Sequence, residues 1–369
     1  MFSKLFPIHL ILLLVSCIAP DTDAGTEPIR DSYPIDEIWV VNNLAESLSI
    51  CNGSRWNSSR SPWIAQNSLL TGSAPNRLYF YNGYGYTVNS YGNSLTIFNP
   101  DIVEEIATLS LGNGHNPWAA AFCSRGGQDY ALITCFLSDL LLIVNLKTKA
   151  VIKKLSITPP GVAAGYRPRP EGIIILRDRA YFTCTGWDFE TSSFREGYLG
   201  ILDICSTDPS NWSLLSYIQT ATNPQSLLAV PARGGEVHIL STGINSSDDG
   251  LIQIYHTASG RMTTNLPCGG SPHRFATAAN GITFLAGGNA LLAYNRFTLL
   301  LTHSSSNPFY SGKGDAYLAA AAVDTNNSRL YLADFGNDRI LQLDPTSGAL
   351  LKESPSGDGP LDLVYRKQY

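Results

Sequence analysis

The stretch from Gly314 to Leu361 contains the pattern that most constrains the fold of this chain. Apolar runs at Tyr317–Val323, Arg329–Ala333 and Arg339–Leu343, and a shorter run at Ala349–Lys352, are separated by the turn sequences DTNNS, DFGND and DPTSG. Short apolar runs bounded by Gly, Pro, Asn and Asp are typical of strands joined in an antiparallel meander. Similar units recur at a spacing of roughly 45 residues, which is the period of a four-stranded β-propeller blade.

Counting these units predicts an all-β fold, a seven-bladed β-propeller of four-stranded antiparallel blades. The first unit begins at Glu37–Asn42 with a strand of the second type and therefore lacks an innermost strand. The last apolar run, Leu361–Arg366, follows a glycine and proline turn as the other innermost strands do. We therefore predict that this C-terminal strand pairs with the first blade and closes the ring, which removes the exposed sheet edges of an open array.

The N-terminal residues 1–16 have the pattern of an export signal. Lys4 precedes the mostly apolar stretch Phe6–Val15, which is too short to span a bilayer. The stretch ends in LVSC at Cys17, which resembles the bacterial lipobox, where the cysteine becomes the lipidated first residue; an ordinary cleaved signal is the alternative. Residues 17–34 are predicted to form a flexible tether and residues 35–369 the propeller. We expect an outer-membrane lipoprotein of the bacterial cell envelope, periplasmic or surface-exposed, that contacts the membrane through its lipid anchor.

Several repeats resemble those of a known family. The phrases YTVNSYGNSLTIFNP, ALITCFLSDLLLIVNLKTKA and LYLADFGNDRILQLDPTSG are similar to YVTN-type propeller repeats, over nearly the whole chain that follows Cys17. The resemblance implies a bacterial surface propeller or a related lactonase-type propeller. We expect a protein that binds a small-molecule ligand, for example a nutrient or a corrinoid, or an envelope protein partner. Two alternatives are a lactonase- or lyase-like enzyme with Glu171 and His273 as acid and base, and a purely structural surface scaffold.

Proline turns before the innermost strands mark one position per blade that faces the central channel, where propellers usually admit ligands. Arg169 lies just before one of these positions and is added to the candidates. Side chains at the channel could bind a polar, partly planar molecule, or could simply fill the channel together with ordered water. The predicted ligand-binding residues are Asn76, Trp118, Arg169, Glu171, Gln225, His273 and Tyr317, and Leu361 completes the ring.

The run GYRPRPEG places two arginines, Arg167 and Arg169, beside Glu171. Such a group could hold a carboxylate or phosphate through paired hydrogen bonds, or could form one internal ion pair with a solvated arginine. His115 and His273 occupy comparable points of two blades, but no third ligand lies in fixed register with them, so no metal site is predicted.

A longer loop, residues 186–197, carries Trp187, Phe189 and Phe194. Long loops between blade strands often form the binding face, so these rings could stack on a ligand or pack onto the blade below. The cysteines beyond Cys17 fall mostly inside strands of different blades, and we predict mainly free, buried thiols.

Composition and motifs exclude several functions. The net charge is −5 and Lys and Arg form no cluster, so nucleic acid is not an expected partner. The chain contains neither a nucleophile motif of the G-x-S-x-G type nor a glycine-rich phosphate loop. No catalytic residue is therefore assigned, and the sequence specifies no cofactor.

Overall fold

Short apolar strands and turns rich in Asn, Asp and Gly fold the chain into a ring of antiparallel sheets. The computed structural model describes residues 36–53, 63–244, 247–324 and 328–367. The predicted signal sequence, the tether and the lipidation site at Cys17 lie outside these described residues. Within the described ranges, no helix is long and apolar enough to cross a membrane.

Seven four-stranded antiparallel sheets form the blades of a β-propeller. Blade 1 contains β1 (Asp36–Asn42), β2 (Ser47–Asn52), β3 (Trp63–Leu70) and the C-terminal strand β31 (Pro360–Lys367). Blade 2 contains β4 (Pro75–Tyr81), β5 (Tyr84–Asn89), β6 (Ser94–Asn99) and β7 (Glu104–Ser110). Blade 3 contains β8 (Pro117–Arg125), β9 (Gln128–Cys135), β10 (Leu140–Asn145) and β11 (Ala150–Ser156).

In the remaining blades, as in blades 2 and 3, the four main strands follow one another from the channel outward. Blade 4 contains β12 (Pro170–Leu176), β13 (Arg179–Cys184), β16 (Gly197–Asp203) and β17 (Ser213–Thr220), with the hairpin β14 (Trp187–Asp188) and β15 (Ser193–Phe194) inserted. Blade 5 contains β18 (Pro224–Val230), β19 (Glu236–Ser241), β20 (Leu251–His256) and β21 (Arg261–Pro267). Blade 6 contains β22 (Arg274–Thr277), β23 (Ile282–Gly287), β24 (Ala290–Asn295) and β25 (Leu300–His303), and the short β26 (Tyr310–Ser311) also pairs with β24. Blade 7 contains β27 (Leu318–Asp324), β28 (Arg329–Asp334), β29 (Arg339–Leu343) and β30 (Leu350–Pro355).

The two ends of the propeller domain meet in blade 1. Strand β31 pairs antiparallel with β1, in a register that runs from Asp36 opposite Lys367 to Asn42 opposite Pro360. The Arg366 guanidinium, which is largely buried, forms an ion pair with Glu37 at 3.2 Å and another with Asp101 of blade 2. The predictions of seven blades and of closure by the C-terminal strand are confirmed.

The core lies between blades, where apolar side chains of neighbouring sheets interlock. Between blades 1 and 2, Trp39 stacks on Phe98 with ring centroids 5.4 Å apart, and both side chains are fully buried. Burial of apolar surface at about 25 cal/mol per Å² is the main stabilising contribution. Gly85 and Gly200 leave space for the rings of Phe98 and Phe182, because a Cβ at either position would clash with the ring.

A repeated turn delivers the chain to the channel. Five innermost strands start with a proline, which suits the first position of a strand because proline has no N–H to donate. Each proline follows a residue with positive φ, and the carbonyl of that residue accepts a hydrogen bond from the N–H just after the second strand of the same blade. The five residues and their φ angles are Ala74 (51°), Asn116 (51°), Arg169 (51°), Asn223 (56°) and Gly359 (65°).

The six cysteines within the described ranges are free thiols, as predicted. Cys205 is exposed and the other five are buried. Burial raises the pKa of Cys123 to about 11 and the pKa of Cys135 and Cys268 to about 12, which keeps these thiols protonated.

Candidate functional site

A one-residue bulge follows the proline turn and places the predicted ring residues at the channel end of their strands. In blade 2, Pro75 lies opposite Asn89 and Arg77 lies opposite Val88, so Asn76 is the additional residue. Register shifts occur at the corresponding point of the innermost strands of blades 1, 3, 4 and 5. Bulges re-aim side chains, and here they do so at the mouth of the channel.

In blade 7 the ring position differs from the one that the proline turns predict. Its bulge falls at Ala319, since Leu318 pairs with Asp334 and Ala320 pairs with Ala333. Tyr317 therefore precedes the ring position by two residues. Its ring stacks on the His273 imidazole, with centroids 5.5 Å apart and an interplanar angle of 15°, and it is 41% exposed.

Two predicted ligand-binding residues are engaged in hydrogen bonds that hold the structure together. Asn76 donates through Nδ2 to the hydroxyl of Ser90. His273 lies with Nε2 3.0 Å from the carbonyl oxygen of Ala319 in blade 7. Burial and the nearby charge of Arg77 lower the pKa of His273 to about 4, so the neutral ring donates its Nε2–H to that carbonyl.

Similar hydrogen bonds connect other neighbouring blades at the same level. The acceptor is a carbonyl at the start of the next innermost strand. The bonds are Asn43 Nδ2 to Pro75 O (2.8 Å), Ser90 Oγ to Pro117 O (2.6 Å), Thr134 Oγ1 to Glu171 O (2.6 Å) and Thr242 Oγ1 to Pro272 O (2.9 Å). His273 therefore belongs to a ring of contacts between blades.

Arg169 anchors the loops of the channel mouth. Its backbone N–H donates to Asp139 Oδ1 at 2.9 Å, and its guanidinium donates to the carbonyl of Leu137 at 2.9 Å. The guanidinium also lies over the rings of Phe136 and Phe189, at 5.7 and 5.0 Å from their centroids. Asp139 forms an ion pair with Arg167 at 3.2 Å, so the partner of this arginine lies in a loop of blade 3 and is not Glu171 of the same run.

Glu171 lies apart from these two arginines, inside the channel. It is only 5% exposed, and burial raises its pKa to about 8, against the opposing effects of Arg77 and of a hydrogen bond from Trp118. A carboxyl with this pKa is mainly protonated at neutral pH and can donate a hydrogen bond.

Arg77, which the sequence did not single out, lies near the axis of the ring. It stands on β4 of blade 2, and its charge acts on Glu171 of blade 4, His273 of blade 6 and Asp362 of blade 1. Because these blades occupy different sides of the ring, a guanidinium within reach of all three must be close to the axis. The Asp362 carboxylate accepts a hydrogen bond from the Leu78 N–H at 3.0 Å, and its burial raises its pKa.

Arg77 could have been found by aligning the position that follows the ring residue in each blade, which is Ala320 in blade 7. That position is occupied by charged residues in three blades and by small residues in the other four. The seven residues are Arg77, Ala119, Gly172, Ser226, Arg274, Ala320 and Asp362. Charged side chains among small ones at this aligned position were the available signal.

An aromatic wall leads from the channel to the tip of the β14–β15 hairpin. Trp118, whose indole N–H donates to Glu171, packs on Phe136 at 5.4 Å, and Phe136 meets Phe189 edge to face at 6.3 Å. Phe189 also contacts Trp187 edge to face at 6.1 Å and is 55% exposed. Trp187 packs against Phe194 at 4.7 Å. The hairpin aromatics thus pack on one another while leaving Phe189 accessible.

The two remaining candidates have simpler surroundings. Gln225 is half-buried and donates through Nε2 to Asn223 Oδ1 at 3.1 Å. His115 lies 3.3 Å from Lys154 Nζ on the outer strand of blade 3, and burial and this lysine lower its pKa. Across the described part of the chain, no three or more His, Cys, Asp or Glu side chains are grouped so that they could hold a metal ion.

Comparisons with known proteins place the fold. No protein-family model matches the chain, and no curated protein matches it. Hydrazine synthase of Kuenenia stuttgartiensis is a similar solved structure, with a TM-score of 0.55 and 15% identity over 78% of this chain and 88% of that one. Dihydro-heme d1 dehydrogenase NirN in complex with DHE has a TM-score of 0.58 and 12% identity over 94% of this chain and 78% of that one.

A streptogramin B lyase structure has a TM-score of 0.56 and 12% identity, over 77% of this chain and 83% of that one. These three proteins share a fold with this chain. At identities this low, the likeness extends to the propeller architecture alone. Membership of a YVTN-type family stays a prediction from the repeats.

Proposed function

We propose that the protein is a binding propeller that takes a small molecule at the mouth of its central channel. The strongest support is Glu171, a carboxyl that is 5% exposed at the channel and has a pKa of about 8. Burying an acid in this way destabilises the fold, whereas an amide or apolar residue would fill the space without that cost. Perturbed carboxyls of this kind are concentrated at functional sites.

The aromatic wall supplies the complementary apolar surface. Trp118 belongs to both features, since its N–H contacts Glu171 and its ring packs on Phe136. Ligand sites typically combine aromatic walls with a few convergent polar groups. A molecule with a flat ring and a hydrogen-bonding group fits this combination.

The enzymatic alternative requires Glu171 and His273 to act as an acid and base pair within hydrogen-bond reach. No hydrogen bond joins these two side chains among the residues that the structure describes. His273 Nε2 contacts the Ala319 carbonyl, and a pKa of about 4 makes the ring a weak base at neutral pH. These observations favour binding over acid and base catalysis.

We further propose that this binding takes place outside the cytoplasm, with the propeller attached to the outer membrane through Cys17. The support is the lipobox-like sequence and the polar residues 17–34 that follow it. A captured nutrient, with a corrinoid as one example, or an envelope protein partner is consistent with such a position.

A thermal-shift screen of the purified protein against metabolites, nutrients and corrinoids tests the binding function, because a ligand of the folded state raises its apparent stability. A compound bound at the mouth should lose its shift in Trp118→Ala and in Trp118→Phe, which keeps a ring but loses the N–H. Glu104→Gln, at an exposed position of β7, is the matched control and should keep the shift. The absence of any stabilising compound, or shifts that survive in both Trp118 variants, would indicate the scaffold alternative or a different site.

A further inference from the structure

The guanidinium of Arg77 makes no hydrogen bond with the residues that the structure describes. Its Nε is buried without a hydrogen bond, although the side chain as a whole is only partly buried. Arg274, which follows the ring residue of blade 6, also has a buried Nε without a hydrogen bond. A buried arginine N–H without a hydrogen bond costs folding free energy, so an arginine kept in this state is suited to an incoming acceptor such as a carboxylate.

The groups near Arg77 form no hydrogen bond with it among the residues that the structure describes, although the Asp362 carboxyl group is close enough to interact with its charge. Glu171, with a pKa of about 8, is mainly protonated, and His273, with a pKa of about 4, is uncharged. Asp362 accepts hydrogen bonds from the backbone N–H groups of Leu78, at 3.0 Å, and of Leu363. The axis of the channel therefore presents a planar fork of N–H donors beside a carboxylic acid that can donate one more hydrogen bond.

We infer that the ligand of the channel is a monocarboxylate carried on a flat ring, held by Arg77 and by the acid of Glu171 with its ring against Trp118. This inference rests on the proposed function of the same site. An arginine binds a carboxylate through two parallel hydrogen bonds, which are stronger than those between neutral groups. A dianionic phosphate is disfavoured here, because the Asp362 carboxylate lies near the same guanidinium.

The arrangement makes binding depend on pH. The groups facing Glu171 are Arg77 on β4, Trp118 on β8 and Tyr317 just before β27, whose pKa is raised by burial and by the nearby Glu171 charge. Gln225 on β18 is uncharged. When Glu171 ionises above about pH 8, it stops donating to the ligand carboxylate and repels it, so affinity falls as pH rises.

Titration calorimetry with benzoate, benzamide and inorganic phosphate tests this inference. Benzoate should bind the wild-type protein, with benzamide and phosphate at least roughly tenfold weaker. Arg77→Gln should lose at least roughly tenfold in benzoate affinity, and Arg261→Gln, at an exposed position of β21, should match the wild type. Arg77→Lys keeps the charge without the planar fork and should bind between these extremes.

The pH dependence of benzoate binding is tested with Glu171→Gln, which keeps an N–H donor but cannot ionise. Benzoate affinity of the wild type should fall between about pH 6 and about pH 9.5, on either side of the Glu171 pKa of about 8, and that of Glu171→Gln should stay level. Equal affinity for benzoate and benzamide, or benzoate binding that survives Arg77→Gln, would overturn the inference. Failure of benzoate to bind would also overturn it, whereas a neutral screening hit that depends on Trp118 would leave the proposed function standing.

Discussion

Replacing Glu171 with glutamine should stabilise the folded protein, and the gain should increase with pH. The two side chains have nearly the same shape, but only glutamate can ionise. Burial raises the pKa of Glu171 from an ordinary value of 4.5 to about 8. Between these values the unfolded chain has released the proton that the folded chain retains, so wild-type stability falls as pH rises from 4.5 to about 8.

The size of the effect follows from the two pKa values. At pH 7 the unfolded carboxyl is about 2.5 units above its pKa and the folded carboxyl is still protonated, which at 1.36 kcal/mol per unit amounts to about 3 kcal/mol of lost stability. Below pH 4.5 the loss disappears, and above pH 8 it levels off at about 5 kcal/mol. Glutamine removes this loss at every pH.

Chemical unfolding of the wild type and of Glu171→Gln at about pH 5, 7 and 9 measures the difference directly. All other titrating groups are common to both proteins, so the pH dependence of the difference isolates Glu171. Glu104→Gln, at an exposed position, should show no such trend. A difference that does not change with pH, or a destabilised Glu171→Gln at pH 9, would refute the assignment of a buried, neutral acid.

Three further outcomes are expected. His273, whose pKa burial lowers from 6.5 to about 4, should make the wild type lose stability as pH falls through that range, and unfolding midpoints of His273→Gln should fall less steeply; an equal slope would count against a buried neutral imidazole. A chain that ends at Pro360 lacks β31 and leaves an edge of β1 unpaired, so it should aggregate or unfold, and a monomer with wild-type circular dichroism would disprove closure of the ring. Among the six described cysteines, the native protein should react with a thiol reagent at Cys205 alone, and labelling that persists in Cys205→Ser at these positions would show that buried thiols open readily.

The architecture was accessible from sequence because its signals are local. The predicted strand Glu37–Asn42 starts one residue after β1, and the predicted strand Leu361–Arg366 is one residue shorter than β31 at each end. The predicted loop at residues 186–197 contains the β14–β15 hairpin, which the sequence pattern does not predict. Strands of two residues have no periodicity to detect, which explains the omission.

The candidate site was less accessible, because it depends on contacts between distant blades. The proline turns located Trp118 and Glu171, but blade 7 has Leu318 where most other blades have proline, and the alignment of Tyr317 is two residues out of register. Arg77 follows a bulge that alters side-chain direction, which a linear pattern does not reveal. The pairing of Arg167 with Asp139 joins loops of two blades and has no signal within either loop.

Anomalous diffraction from a crystal soaked in para-iodobenzoate would test the channel site most directly. The iodine should give its main peak at the channel mouth beside Trp118, with the carboxylate directed towards Arg77 and Glu171, and the peak should be absent in Arg77→Gln crystals. A peak found only on the outer strands, or one that is unchanged in Arg77→Gln, would contradict a ligand site built around these residues.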